Sequence, residues 1–478
     1  MEKFKLVSLI LEGVKDVEYG EIKFPAFAEK NSDEDELDNA SVVGVYGYNG
    51  SGKTALIDVL QLLWYFVWFK TSDVNLKFKD FACKWCKTSK ISYSFILIKG
   101  DFDAKIDYIL EFKDSSNPLE RSFDLLKETI SYSLFDKNSN GYANKVTPLQ
   151  IDYTKQSSEQ IISEKNYLSL SNIYSDGDDR FQKAVYLQTM KNECSKNGMS
   201  MVFADEFADT LIKSKNEKAQ EAGEVIKKLF EALQHGLYVY SVKMDAESNL
   251  GSSSLIGMST IGYGTLKLPL DSSFEMREDM FEHYQAFVEQ INVLLKAFVP
   301  SFDSKLVKLD SYIKEGDNGG QNTLRVQYVR IYGENSIPFS SESNGIKKLV
   351  NIASALINAY SDSKVILAID ELDSGVFEYL LGQILDVLGE GLRGQLLFTA
   401  HNIAALSVLD KTQLYFTTTN PKNRYIRLRN MSSENNPENF YLRALKVGGQ
   451  KEPLMDQTHR SEISRALRQG YLKNYGQK

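Results

Sequence analysis

Eight residues, Gly47-Tyr48-Asn49-Gly50-Ser51-Gly52-Lys53-Thr54, restrict this chain more than any others. Glycines at these spacings let consecutive backbone N–H groups turn inward and cradle phosphate oxygens. The apolar run Ser41-Val42-Val43-Gly44-Val45-Tyr46 reads as a buried strand entering the loop. Leu56, Ile57, Leu60 and Leu63 give a helical period after it. Strand, glycine loop and helix is the setting a phosphate-binding loop needs, and the helix N-terminus adds a favourable dipole. In that setting Lys53 is expected to reach the β- and γ-phosphates of a nucleoside triphosphate, and Thr54 to hold Mg²⁺.

Three further features follow downstream. Val365-Ile366-Leu367-Ala368-Ile369-Asp370-Glu371 is an apolar run ending in two carboxylates. Such a run reads as a central buried strand, and its carboxylates fall where α/β sheets bind ligands. Asp370 is placed to hold Mg²⁺, and Glu371 to polarise an attacking water as general base. Ser343-Asn344-Gly345 opens a helix with Ile346, Leu349, Val350, Ile352, Ala353 and Leu356 as its apolar positions. Taken alone this is a helix N-cap, and in company it is an anion site. His401 ends another apolar strand, Leu397-Phe398-Thr399-Ala400, 31 residues after Asp370. There it is either a capped polar residue or a ligand of the γ-phosphate or the attacking water.

The order of these four features resembles the ABC-type ATPases, in the SMC/RecF/OLD-like branch rather than the transporter branch. The resemblance identifies Gly47–Thr54 with Walker A, Ser343–Gly345 with the signature motif and Val365–Glu371 with Walker B. Leu372-Asp373-Ser374 corresponds to the D-loop, and His401 to the switch histidine. The fold so implied is α/β, an ABC-type P-loop ATPase head with a mixed sheet, an antiparallel β-subdomain and an inserted helical lobe. The implied activity is ATP hydrolysis with ATP and Mg²⁺, with Glu371, His401 and Lys53 as the catalytic set. Ser343, Asn344, Gly345 and Asp373 join the P-loop in holding nucleotide, and they do so from a second copy. One P-loop per chain then implies a head-to-head homodimer, or a higher homo-oligomer, with composite sites. The signature reads Ser-Asn-Gly rather than Ser-Gly-Gly, a departure from the wider pattern. For the Q-loop glutamine, Gln61 lies in the helix after the glycine loop, which leaves Gln150 and Gln188 as candidates.

The resemblance extends to ATP-binding components of anti-phage systems such as Septu and PARIS. It implies a regulatory ATPase acting with a separately encoded effector, a nuclease or other toxin. The alternative is a RecF-like repair or recombination ATPase that clamps DNA. The 290 residues between Lys53 and Ser343 argue against the compact transporter subunit.

Composition agrees with a folded chain: 42% of 478 residues are hydrophobic and 25% charged. Net charge is −8, but residues 421–478 hold 12 Lys and Arg against 5 Asp and Glu, +7, leaving −15 on the rest. Arg424, Arg427, Arg429, Arg460, Arg465 and Arg468 form either a nonspecific DNA contact or a solvated basic surface. Cys83 and Cys86 form one Cys-x-x-Cys without a second pair, which predicts reduced thiols rather than a zinc site. No nuclease is expected: 77 residues follow His401, and histidines 235, 283, 401 and 459 form no His-Asn-His cluster. Asp107, Glu111 and Lys113 lie on one alternating strand, which favours a structural role. The N-terminus lacks a signal peptide and Leu62–Phe69 is too short to span a bilayer, so the expectation is cytoplasmic, without membrane.

The chain divides by pattern into an N-terminal ATPase half with β-subdomain (1–155), a helical insertion lobe (156–322) and a C-terminal ATPase half (323–478). Residues 3–24 predict two strands, 90–155 several more, and 205–235 and 275–299 helices. Asn31–Asn39 predicts an acidic loop and Gly316–Gly320 a turn.

Overall fold

The computed structural model describes residues 2–25, 42–68, 78, 80–115, 122–136, 141–143, 149–154, 180–241, 255–260, 264–315, 320–429, 437–455 and 459–475. The expected acidic loop at 31–39 and most of the turn at 316–320 lie outside these residues.

An antiparallel sheet forms first. It comprises β1 (Lys3–Val14), β2 (Val17–Lys23), β4 (Ser89–Lys99), β5 (Phe102–Asp114), β6 (Phe123–Asp136), β7 (Gly141–Tyr142) and β8 (Leu149–Asp152), in the order β2-β1-β4-β5-β6-β7 with β8 also on β6. The alternation foreseen at residues 3–24 and 90–155 is the two-residue period of these strands. On β4 and β5, for example, Ile91, Tyr93, Ile106, Tyr108 and Leu110 are buried while their neighbours along the strand are less so.

The second sheet has six strands in the order β19-β18-β3-β17-β16-β9. These are β3 (Val42–Tyr46), β9 (Leu237–Tyr240), β16 (Ile366–Ile369), β17 (Gln395–Ala400), β18 (Leu414–Thr417) and β19 (Tyr425–Ile426). Pairing is parallel except at the β18–β19 edge. Its strands read as unbroken apolar runs because both faces are covered. Val43, Val45, Ile366, Ala368 and Leu397 join the core shared with the antiparallel sheet, whereas Val42, Tyr46, Leu367, Ile369, Leu396 and Phe398 face a second core.

Between the two sheets lies α1 (Lys53–Trp68), the helix after the glycine loop. A helix covered on both sides must be apolar nearly all round. That accounts for the run from Leu62, with Leu62, Leu63, Tyr65, Phe66 and Val67 all buried. The hydroxyl of Tyr93 on β4 donates to the Val59 carbonyl of α1 at 2.6 Å. The second core is closed by α5 (Phe281–Phe298), α6 (Asn344–Ser361) and α7 (Glu378–Gly391).

Segment 156–322 is not helical throughout. Its helices α2 (Arg180–Asn197), α3 (Asp205–Ile212) and α4 (Glu217–Gly236) pack Leu187, Phe207, Leu211, Val225 and Leu229 onto the first core. The fully buried Glu128 of β6 ties them down, accepting from the Tyr108 hydroxyl at 2.5 Å and the Met201 N–H at 2.9 Å. Immediately after α4 the chain enters the parallel sheet as β9, paired with β16. The helical period of 205–235 gives no sign of this short strand, because four residues are too few to show a period of their own. The segment continues as a hairpin of β10 (Leu255–Thr260) and β11 (Gly264–Pro269). A four-stranded sheet follows, with β12 (Phe274–Arg277), β13 (Ser304–Lys314), β14 (Gln321–Tyr332) and β15 (Asn335–Pro338).

Candidate nucleotide-binding site

Parallel register brings the C-terminal ends of β3, β16, β17 and β18 to one edge of the sheet. The glycine loop leaves β3 after Tyr46, Asp370 follows β16, and His401 follows β17. Such an edge is where open α/β sheets bind ligands.

Gly50 and Gly52 have φ of +77° and +82°, a region that L side chains rarely enter. Gly47 must be glycine for another reason: a Cβ there would overlap the Thr417 hydroxyl. Lys53 is the first helical residue, and its Nζ donates to the carbonyls of Gly47 and Tyr48, both at 2.8 Å. Burial pushes the Lys53 ammonium down to about 8, against the opposing pull of Asp370, Glu371 and Asp373. These acids therefore gather around the lysine.

Thr54 Oγ1 lies 3.5 Å from Asp370 Oδ1. Two hard oxygen donors converging at a helix start suit Mg²⁺, which takes few protein ligands and completes its shell with water and phosphate. The Thr399 hydroxyl of β17 donates to Asp370 Oδ1 at 2.5 Å and accepts the Glu371 N–H at 2.7 Å. The Asp370 N–H donates to the Tyr240 carbonyl of β9 at 2.8 Å. Glu371 has φ +47°, left-handed for a residue with a side chain, so the turn after Asp370 holds strain of about 1–3 kcal/mol.

Asp373 Oδ2 accepts the N–H groups of His401 at 2.8 Å and Asn402 at 2.6 Å. Its other oxygen is buried with no hydrogen-bond partner among the described residues. Ser343 is the N-cap of α6, its hydroxyl accepting the Ile346 N–H at 3.4 Å. Ser343 and Asn344 are exposed, while Gly345 is buried against Gly375, where a Cβ would overlap the Gly375 carbonyl. Lys348 of α6 donates to the Glu371 carbonyl. The Ser343 turn is thus packed on the segment that follows Asp370.

Sequence reading missed Thr399, Thr417 and Tyr425. Thr417 donates to Ser51 Oγ at 2.7 Å, and Tyr425 donates to the Gly52 carbonyl at 2.7 Å. Both are ordinary strand residues, and only the register at the sheet edge reveals their place. The basic tail divides in a way its composition conceals. Arg424 is buried and donates to the Thr418 carbonyl and the Asp16 carbonyl, both at 2.7 Å. Arg427 stacks on Tyr415 and donates to the Lys23 carbonyl. Buried Arg424 is therefore structural, neither a DNA contact nor a solvated surface charge, while Arg427 is half-buried. Arg429, Arg460, Arg465 and Arg468 are exposed, the last three on α9 (Arg460–Tyr475), which follows α8 (Pro437–Val447).

Other candidates fall elsewhere. Gln61 is buried in α1, Gln150 donates to Thr129 within the antiparallel sheet, and Gln188 donates to Asn192 on α2. Asp107 accepts from Ser94 across β4–β5 at 2.6 Å. Cys83 and Cys86 are free, with burial pushing the Cys86 thiol up to about 12. Among the described residues no helix is long and apolar enough to cross a membrane.

The family described as AAA ATPase domain matches residues 34–402. The chain belongs to that family. The match takes in the glycine loop, the Ser343 turn, Asp370 and His401. The fold is that of a P-loop ATPase head. It is similar to the Smc head domain with an extended coiled coil from Pyrococcus furiosus, solved bound to the C-terminal domain of ScpA. That structure is 14% identical with TM-score 0.39, covering 89% of this chain and 96% of the other. The Smc head with coiled coil and joint from Pyrococcus yayanosii is 12% identical with TM-score 0.39, covering 89% and 97%. The SMC head domain from Thermotoga maritima is 12% identical with TM-score 0.33, covering 89% and 99%. No curated protein matches the chain.

Proposed function

We propose that the chain is an ABC-type ATPase that binds ATP·Mg²⁺ at the Gly47–Thr54 loop and hydrolyses it slowly in a head-to-head dimer. The carrying observation is the parallel register that sets Lys53, Thr54, Asp370, Glu371 and His401 at one sheet edge. Lys53, released from the Gly47 and Tyr48 carbonyls, neutralises the β- and γ-phosphates. Thr54 and Asp370 would hold Mg²⁺, whose charge would stabilise the transferring phosphoryl group. Glu371 takes the proton of the attacking water. His401, with its backbone fixed by Asp373, orients that water or the γ-phosphate.

Ser343 and Asn344 are exposed at a helix N-terminus, the right chemistry for the γ-phosphate of a second copy. Asp373, bonded within its own chain here, would have to leave His401 and Asn402 to serve such a copy. Following the pattern of the motifs, the insertion separates the two ATPase halves at 155 and 322, the second boundary falling inside β14, and β9 is the insertion's contribution to the ATPase sheet.

The resemblance to OLD-like anti-phage ATPases supports a regulatory role beside a separately encoded effector. The DNA-clamping alternative rests on the exposed Arg429, Arg460, Arg465 and Arg468. Glu371→Gln in ATP and Mg²⁺ tests the core reading. It should accumulate a nucleotide-bound dimer, and a strictly monomeric protein under those conditions would count against it.

A further inference from the structure

The backbone of the glycine loop is held from outside by two hydroxyls of β18 and β19, beyond the family match at residue 402. Thr417 Oγ1 donates to Ser51 Oγ at 2.7 Å, and Ser51 Oγ donates to the Tyr48 carbonyl at 2.7 Å. Tyr425 donates to the Gly52 carbonyl at 2.7 Å, a carbonyl that also accepts the Ala55 N–H at 3.2 Å. Neither side chain has room to shift. Thr417 lies against the Cα of Gly47, and the Tyr425 ring fills the space beside Gly20. Arg424 abuts Gly52 from the same side and is anchored to the Asp16 carbonyl.

A trans peptide is planar, so its C=O and N–H point in opposite directions. Fixing the Tyr48 carbonyl therefore fixes the N–H of Asn49, and fixing the Gly52 carbonyl fixes the N–H of Lys53. The second of these is one of the orphan donors at the start of α1. Isolated glycine-rich backbone samples many orientations, and ordering it has an entropic cost. A loop whose carbonyls are already tied has met part of that cost before any phosphate arrives.

We propose that Thr417 and Tyr425 are positioning residues that aim the amides of Asn49 and Lys53 at a bound polyphosphate. This rests on the reading of Gly47–Thr54 as the phosphate cradle. It predicts that a segment outside the matched family region sets phosphate affinity without touching nucleotide.

The test uses the full chain with Thr417→Val and Tyr425→Phe, which remove one hydroxyl each and keep the side-chain volume. Mg·ATP affinity is titrated directly, and inorganic triphosphate is measured as a competitor. Losing one hydrogen bond worth about 1 kcal/mol weakens each by about fivefold. Both polyanions should weaken by the same factor, melting temperature should stay within about 2 °C, and Thr417→Ser should bind like the parent. Unchanged affinity in both variants overturns the proposal, as does weakening that tracks a fall in melting temperature. Lys53→Ala separates this from the underlying reading. If it binds ATP as the parent does, the phosphate cradle itself is misassigned and both fall.

Discussion

Asp373 holds the backbone of His401 through one carboxylate oxygen, which takes the His401 N–H at 2.8 Å and the Asn402 N–H at 2.6 Å. The turn after the Asp370 strand and the end of the His401 strand are therefore tied together. Removing the acceptor frees both amides. Asp373→Ala should lower stability by about 1–3 kcal/mol in urea denaturation and reduce ATP hydrolysis. Asp373→Asn retains one acceptor oxygen and offers its amide where Asp373 now leaves an oxygen unpaired, so it should recover most of the loss. Equal losses in both variants would assign the effect to charge instead.

Gly345 meets Gly375 with no room for a methyl group between them. Gly345→Ala should force the Ser343 turn off the segment after Asp370, at about 1–3 kcal/mol of strain. A lower urea midpoint would report that cost. A midpoint equal to the parent's would show that the two backbones separate freely.

Lys53 is held down to about 8 by burial, against 10.5 in the unfolded chain. Between those values the unfolded chain carries more protons, so this group makes stability rise with pH across that window. Its cost is fully present below about pH 8. Lys53→Met should flatten the rise of the urea midpoint between pH 8 and 10. A bound polyphosphate restores the charged form, so ATP binding at pH 8 should take up about half a proton. Calorimetry in two buffers of different ionisation enthalpy measures it, and proton release would contradict the placement of Lys53.

The arginines of the C-terminal region should separate by burial. Arg424→Ala leaves two carbonyls and the Asp16 partner unsatisfied and should cost about 2–4 kcal/mol. Charge reversal at Arg460, Arg465 and Arg468 should stay within about 0.5 kcal/mol, since all three are exposed. If the DNA reading holds, only those reversals should flatten the salt dependence of DNA binding.

Motif chemistry in this chain is legible wherever a local pattern carries it. Gly47–Thr54 declares itself because cradling phosphate requires glycines and lysine at fixed offsets. Asp370 and Glu371 stand out because two carboxylates end an apolar strand. Thr399, Thr417 and Tyr425 are opaque in sequence because their roles come from pairing partners 28 to 373 residues away. Strand β9 hides for a related reason, since its four residues continue directly from α4. Arg424 was misjudged because charge composition does not report burial.

Strand β9 also limits how the chain can be taken apart. It covers the free edge of β16, and its Tyr240 carbonyl receives the Asp370 N–H. An excision of 156–322 would strip the sheet of a border strand and untie the backbone at Asp370. The intervening segment is therefore not a detachable module. Any shortened version that retains the ATPase sheet must carry residues 237–240 with it.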